Sequence, residues 1–326
     1  MRKVAKIGPA ILIPGVTCIL CFLIACFFHT SLFGGATSVG LLVKTLVTVT
    51  LISLALSINL STGRFDFSLG SMALFASAVA GKLSMTYQLN PWILTAISLL
   101  MGLVLGGISG QIYVTLRIPP IISSLGVTLL FEGAAFMCTG GESVSVTTRS
   151  DIIAFANIPN LFILLIVCTS AVIYLTNYTR FGAEYRALKS GQSIAVDMGI
   201  NEKTNAVICY IISGGLMGVV GAINLAYTGT VRMSLNFASI NLMFVAFLPM
   251  FIGGYLARYI NENIGIVLGS LTTAMISLLF VRVNASSAIQ SVINAIILVL
   301  FLIYLNNEKL IKKAFQGIAK GGSQNI

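Results

Sequence analysis

The chain has 326 residues, of which 57% are hydrophobic and only 9% charged, and its mean hydropathy is +1.00. A soluble domain of this size carries about a quarter charged residues, so the composition excludes one and identifies an integral membrane protein. The net charge of +10 is spread over short connections rather than gathered into a patch, which excludes a nucleic-acid binder and leaves the cations to set topology.

Ten apolar runs approach the length a bilayer demands: 10–28, 38–58, 69–86, 92–113, 119–139, 159–176, 205–227, 240–257, 264–281 and 286–305. They predict an all-α polytopic protein, read as one transmembrane domain over 1–326. The first run follows Arg2, Lys3 and Lys6, lacks a small-residue cleavage site, and reads as a retained span. After the second run comes Asn59 to Met72 (NLSTGRFDFSLGSM), where Ser61, Thr62, Gly63 and Ser68 interrupt the apolar pattern and Asp66 sits between Phe65 and Phe67. Two placements are open. At the membrane surface Asp66 is a solvated turn residue; in a broken span its charge is costly unless it lines a cavity or finds a partner.

The fourth run contains Gly102, Gly106, Ser109 and Gly110, and the seventh Gly214, Gly215, Gly218 and Gly221. Small residues at this spacing let helix backbones approach closely in lipid, so both runs predict tight helix pairs. Thr228 to Asn241 follows the seventh run as Asn59 to Met72 follows the second. Paired interruptions of this kind fit a five-plus-five inverted repeat and point to a substrate route. The candidate pathway residues are Asn59, Phe65, Asp66, Ser68, Asn236 and Asn241.

Between the sixth and seventh runs lies the most charged loop, Asn177 to Thr204 (NYTRFGAEYRALKSGQSIAVDMGINEKT). Ser190 as N-cap and Gly199 as C′ residue bracket a short helix, with Ile194, Ala195 and Met198 on one face and Gln192 and Asp197 off it. Such a helix suits docking into a groove on another protein; the competing reading is an ordinary solvated loop. With the N-terminus inside, fourteen Lys and Arg fall in inside segments (Arg2, Lys3, Lys6, Arg64, Arg117, Arg180, Arg186, Lys189, Lys203, Arg258, Lys309, Lys312, Lys313, Lys320) against Arg149, Arg232 and Arg282 outside. This asymmetry places both termini, the loop and the basic tail 306–326 in the cytoplasm. Six cysteines without a CxxC pair read as buried small hydrophobes, and the single His29 leaves no metal or histidine-based catalytic cluster to build.

These residues carry a family resemblance. Gly63-Arg64-Phe65-Asp66-Phe67-Ser68-Leu69-Gly70 resembles the Gly-Ile-Asp-Leu-Ser-Val-Gly signature of ribose-type ABC transporter permeases, a family that includes permeases for other simple sugars and some autoinducers. Ser124-Leu125-Gly126, Glu132-Gly133 and Thr139-Gly140-Gly141 are similar to the family's Thr-Leu-Gly run and its glycine-rich continuation. Thr179-Arg180-Phe181-Gly182, Ala187-Leu188 and Gly199-Ile200-Asn201 resemble its cytoplasmic coupling loop. The likeness covers about residues 40 to 305. The chain departs from the pattern at Arg64, where the family has glycine, at Gln192-Ser193-Ile194, where it has Glu-Ala-Ala, and at Arg258-Tyr259-Ile260-Asn261-Glu262-Asn263, which replaces a glycine-rich loop.

The resemblance implies a multi-pass inner-membrane subunit of an importer, without cofactor and not itself an enzyme. A periplasmic binding protein would deliver the solute. A second permease subunit, either an identical copy or, as the departures favour, the other half of an unequal pair, would complete the pathway. A cytoplasmic ATP-binding subunit would supply energy, since no Walker A pattern occurs in this chain. Contact with that ATPase falls to Glu184, Arg186, Gln192, Ile194, Asp197, Met198 and Gly199, and the uncharged polar residues of the pathway fit a neutral solute such as a sugar. The rival reading is a self-contained secondary transporter or channel with Lys44, Asp66, Lys82 and Glu132 as an ion route. The charged, capped loop argues against it.

Overall fold

The apolar runs become helices, the eighth in pieces, and their ends are set by local chemistry. The computed structural model describes the backbone of residues 8–321 and the side chains of 12–307 apart from Ala36 and Ser287. Arg2, Lys3 and Lys6, and the side chains of Lys309, Lys312, Lys313 and Lys320, which entered the topological reading, lie outside the described residues. In order the helices are α1 (Gly8–Phe27), α2 (Ala36–Leu60), α3 (Leu69–Tyr87), α4 (Pro91–Leu116), α5 (Pro120–Thr139), α6 (Ser150–Phe155), α7 (Ile158–Tyr178), α8 (Arg180–Ser190), α9 (Gln192–Asp197), α10 (Glu202–Thr228), α11 (Asn241–Phe244), α12 (Phe247–Leu256), α13 (Glu262–Arg282) and α14 (Ser287–Gly321). Among the described residues nine stretches are long and apolar enough to cross a membrane, with Ala238–Leu256 taken as one; the first expected span appears as the shorter apolar stretch Leu12–Phe27.

Capping explains the boundaries. Asn90 accepts the N–H of Trp92 ahead of Pro91 and opens α4, Asn201 accepts that of Thr204 and opens α10, and Asn261 accepts that of Asn263 and opens α13. The eighth expected span is not continuous. A 3-10 turn, Ala238–Ile240, leads into α11, and the chain is jointed again at Val245–Ala246 before α12 begins.

At the centre α10 lies against α4, α3 and α2. The glycine pattern works as its spacing predicts: a Cβ built on Gly106 would stand 2.2 Å from the carbonyl oxygen of Tyr210, and one on Gly214 would stand 2.3 Å from that of Gly102. Ser98 Oγ adds a 2.7 Å hydrogen bond to the Gly218 carbonyl. Since lipid tails are as apolar as side chains, this close backbone contact and its hydrogen bond hold the pair together. The packing is crosswise: α10 lies on α4 and α3, while α2 lies on α13 and α12. At the opposite end from α8 and α9, β1 (Val144–Ser145) pairs antiparallel with β2 (Thr230–Val231), Val144 opposite Val231 and Ser145 opposite Thr230. None of the apolar stretch Ala288–Asn307 of α14 is buried.

Candidate functional site

The first break is a buried turn. After α2 ends, Gly63 takes φ +78°, a left-handed conformation that favours glycine, and turns the chain toward α3. Asp66 is fully buried; its Oδ1 accepts the N–H of Ser68 at 2.9 Å and the Ser68 Oγ at 2.6 Å, and its Oδ2 accepts from Asn59 Nδ2 at 3.3 Å. Asn59 Nδ2 also reaches Ser213 Oγ on α10 at 2.9 Å, and Ser68 Oγ lies 3.3 Å from Ser109 Oγ on α4. Asp66 is therefore not a solvated surface residue. It closes the entry to α3 and pins that entry to α4 and α10. Phe65 stacks on Phe247 of α12 at 5.7 Å and meets Phe67 in a tilted contact at 4.6 Å.

The second break is closed by a carboxylate from another helix. Glu132 of α5 is fully buried and accepts the N–H groups of Phe237 and Ser239, each at 3.0 Å, and the Ser239 hydroxyl at 2.5 Å. Hydrogen bonds from three donors are what make a buried carboxylate tolerable. Lys44 lies over the ring of Tyr227 at 4.4 Å, and Lys82 donates to the Cys138 carbonyl at 2.8 Å. The four ionisable groups considered for an ion route thus serve four separate places. Among the described residues no group of three or more His, Cys, Asp or Glu is arranged to hold a metal.

A cavity of about 650 Å³ opens between α2, α11, α12, α13 and α14. Its polar lining is Thr45, Asn241, Thr273, Ser277, Ser291 and Asn294, with Phe244 and aliphatic side chains between them; it holds no charged residue. The side-chain oxygen of Asn294 is buried without a hydrogen-bond partner. Of the six sequence-derived pathway residues only Asn241 lines this cavity. Asn59, Asp66 and Ser68 are buried at the α2–α3 break, Phe65 packs there, and Asn236 is exposed in the second break at φ +60°. Sequence reasoning missed Thr45, Thr273, Ser277 and Asn294, since single hydroxyls and amides inside apolar helices read as background until the helices are assembled.

The loop between α7 and α10 forms two helices. Thr179 accepts the N–H of Gly182 and opens α8. Ser190 is the last residue of α8, its hydroxyl turned back to the Arg186 carbonyl at 2.9 Å, so the N-cap of α9 is Gly191 rather than Ser190. Gly199, at φ +88°, closes α9 as expected: its N–H reaches Val196 O and that of Ile200 reaches Ala195 O. Ala195 is not on the exposed stripe; it is 3% exposed and turned into the protein, whereas Ile194 and Met198 are 67% and 79% exposed. Ile194 and Met198 sit one turn apart, so one face of α9 anchors inward and another presents two large apolar side chains. Glu184 pairs with Arg180 at 3.1 Å, Arg186 reaches the Thr176 carbonyl, and Asp197 is exposed. Burial pushes the Tyr185 hydroxyl of α8 to a higher pKa, against the pull of its hydrogen bond to Ser61 in the first break.

Comparison with known proteins agrees with this architecture. A family model described as "Branched-chain amino acid transport system / permease component" matches residues 38–303. The chain is 23% identical over 268 residues to the ribose import permease protein RbsC of Escherichia coli O157:H7, covering 79% of this chain and 82% of that protein. It is 24% identical over 230 residues to the inner membrane ABC transporter permease protein YjfF of Escherichia coli K12, covering 68% and 67%. With the fructose import permease protein FruF of Bifidobacterium longum it shares 27% identity over 212 residues, 63% of this chain and 59% of that protein.

Proposed function

Because the chain belongs to the branched-chain amino acid transport system / permease component family, we propose that it is the membrane-spanning subunit of an ABC importer and carries an uncharged polyhydroxy solute of the sugar class. It is a multi-pass protein of the inner membrane. One observation carries the choice of solute: the cavity offers hydroxyls, amides and an aromatic ring but no charge. A branched-chain amino acid would bring an ammonium and a carboxylate into that space, each needing a partner the lining does not supply. A sugar needs hydrogen bonds and a flat apolar surface, which Asn241, Thr273, Ser277, Asn294 and Phe244 offer. The names of the ribose and fructose import permeases support the same reading.

The remaining parts of the reading fit this role. Both termini and the α8–α9 segment face the cytoplasm, and the two breaks belong to a five-plus-five inverted repeat. A binding protein hands over the solute outside, and a second permease subunit completes the pathway. A separate ATPase receives α9, with Ile194 and Met198 buried in its cleft and Glu184, Arg186, Gln192 and Asp197 at the rim. Each apolar anchor contributes about 1.5–3 kcal/mol on burial, whereas an exposed rim pair is worth under ~1 kcal/mol.

Two measurements test the proposal. Uptake by the reconstituted transporter should fall at least fivefold for Asn241→Leu together with Thr273→Val, with ribose or fructose competing for the labelled solute and leucine not. Competition by leucine alone would reverse the choice of solute. Ile194→Asp should abolish co-purification of the ATPase while Glu184→Ala leaves it nearly intact; full retention by Ile194→Asp would remove the docking role of α9.

A further inference from the structure

The joint between α8 and α9, Ser190–Gly191, is flanked by two residues that are each held by the first residue of a spanning helix. On the α8 side Lys189 pairs with Glu262, which opens α13, and Glu262 Oε1 also accepts from Ser57 Oγ of α2 at 3.5 Å. On the α9 side Gln192 Nε2 donates to Glu202 Oε1, which opens α10, at 2.6 Å. The same oxygen lies 3.8 Å from Arg64 Nη1 in the first break. Arg64 is 2% exposed, and its Nη2 donates to Cys209 Sγ at 3.6 Å. Arg64, Gln192 and the segment around Glu262 are the three positions where the sequence departs from the pattern it resembles. In space they converge on this one joint.

The physical weight of the two arms differs. Lys189–Glu262 is half-buried and screened by water, so it acts chiefly through geometry. Arg64 is desolvated, and a buried guanidinium left without its anion is strongly unfavourable, so Arg64 favours Glu202 staying beside it. Glu202 in turn offers a charged, directed acceptor to Gln192.

We propose that Glu202 and Glu262 are positioning residues, a two-point clamp that holds α9 in fixed orientation to α2, α10 and α13. A push on Ile194 and Met198 then reaches the Gly63–Arg64 turn and the start of α3, and is not absorbed by swivelling at Gly191. This inference rests on the reading that α9 docks on the ATPase.

Spin labels at Ser193→Cys on α9 and Arg117→Cys after α4, in a background lacking the other exposed cysteines, report the orientation in the purified chain alone. The clamp requires a narrow distance distribution that broadens in Glu202→Ala with Glu262→Ala. In the reconstituted transporter the same double variant should lower the solute moved per ATP hydrolysed at least fivefold. The charge exchange Lys189→Glu with Glu262→Lys should recover what Glu262→Lys alone loses, to within twofold. An unchanged distance distribution, an unchanged solute-per-ATP ratio, or no recovery on exchange overturns the clamp. Retention of the ATPase by the unaltered chain is scored separately and decides only the docking reading.

Discussion

Glu132 and Ser239 meet across 107 residues of sequence, the serine placing both its N–H, at 3.0 Å, and its hydroxyl, at 2.5 Å, on one carboxylate oxygen. Asp66 holds Ser68 in the same way, with the N–H and hydroxyl of one serine on one oxygen. At both breaks a buried acid thus takes up the free N–H groups that a helix start leaves behind in a place without water. The acid at the first break is local and the one at the second is borrowed from α5.

Removing the borrowed acid should therefore open the second break. Glu132→Ala leaves the buried N–H and hydroxyl of Ser239 and the part-buried N–H of Phe237 without a partner, and each buried donor left unsatisfied costs about 1–3 kcal/mol. The thermal unfolding midpoint of the detergent-purified protein should drop by several degrees. Ser239→Ala, which removes one donor together with its partner bond, should cost about 1 kcal/mol. Equal effects of the two changes would mean the carboxylate does not organise the turn.

The first break discriminates by shape. Asp66→Asn keeps an oxygen for the N–H and hydroxyl of Ser68, so insertion and stability should stay close to those of the unaltered chain. Asp66→Ala deletes the buried acceptor for Ser68 and Asn59, at about 1–3 kcal/mol for a donor left unsatisfied, and frees the start of α3 from α4 and α10. Transport should fall more than membrane abundance. Indistinguishable uptake by the alanine variant and the unaltered chain would contradict this.

Two adjacent glycines should behave oppositely. Gly106→Ala drives a Cβ into the Tyr210 carbonyl at 2.2 Å, whereas a Cβ on Gly107 meets nothing closer than Ile211 at 3.6 Å, an ordinary contact. We expect Gly106→Ala to force α4 and α10 apart and reduce the monodisperse yield on size exclusion by more than tenfold, with Gly107→Ala within twofold of the parent. Similar yields for the pair would show that the helices do not approach this closely in the membrane.

Topology is checked directly. A reporter fused after Asn201 should be active only in the cytoplasm, and one fused near Ser145 only in the periplasm. Reversal of the pair would invert the placement of α8 and α9 relative to the ATPase.

Much of the fold was legible because its signals are local or periodic. Apolar run length located the spans, the glycine spacing marked the α4–α10 contact, and Gly199 marked the end of α9. What escaped depends on residues far apart in sequence. Glu132 read as a candidate member of an ion route because the N–H groups it serves lie more than 100 residues away. Ala195 looked like part of an exposed stripe, since the periodicity of a six-residue helix cannot say which apolar side faces its own protein. Ser190 looked like a cap because nothing in its type separates the last residue of one helix from the boundary of the next. The cavity was invisible: its polar groups come from α2, α11, α13 and α14, one or two from each.

The small pairing of β1 with β2 has a consequence for how this chain tolerates change. It joins the loop after α5 to the loop after α10 through backbone groups alone, which any non-proline residue supplies. The α8–α9 end is joined through Lys189, Gln192, Glu202, Glu262 and Arg64, whose identities matter atom by atom. Sequence drift can therefore pass through the strand end while leaving its tie in place, but under the proposed docking of α9 single substitutions at the other end would alter its fit to the ATPase. Relatives that diverge at these five positions should have partners that diverged with them, so that exchanging ATPases between such systems fails at this end and no other.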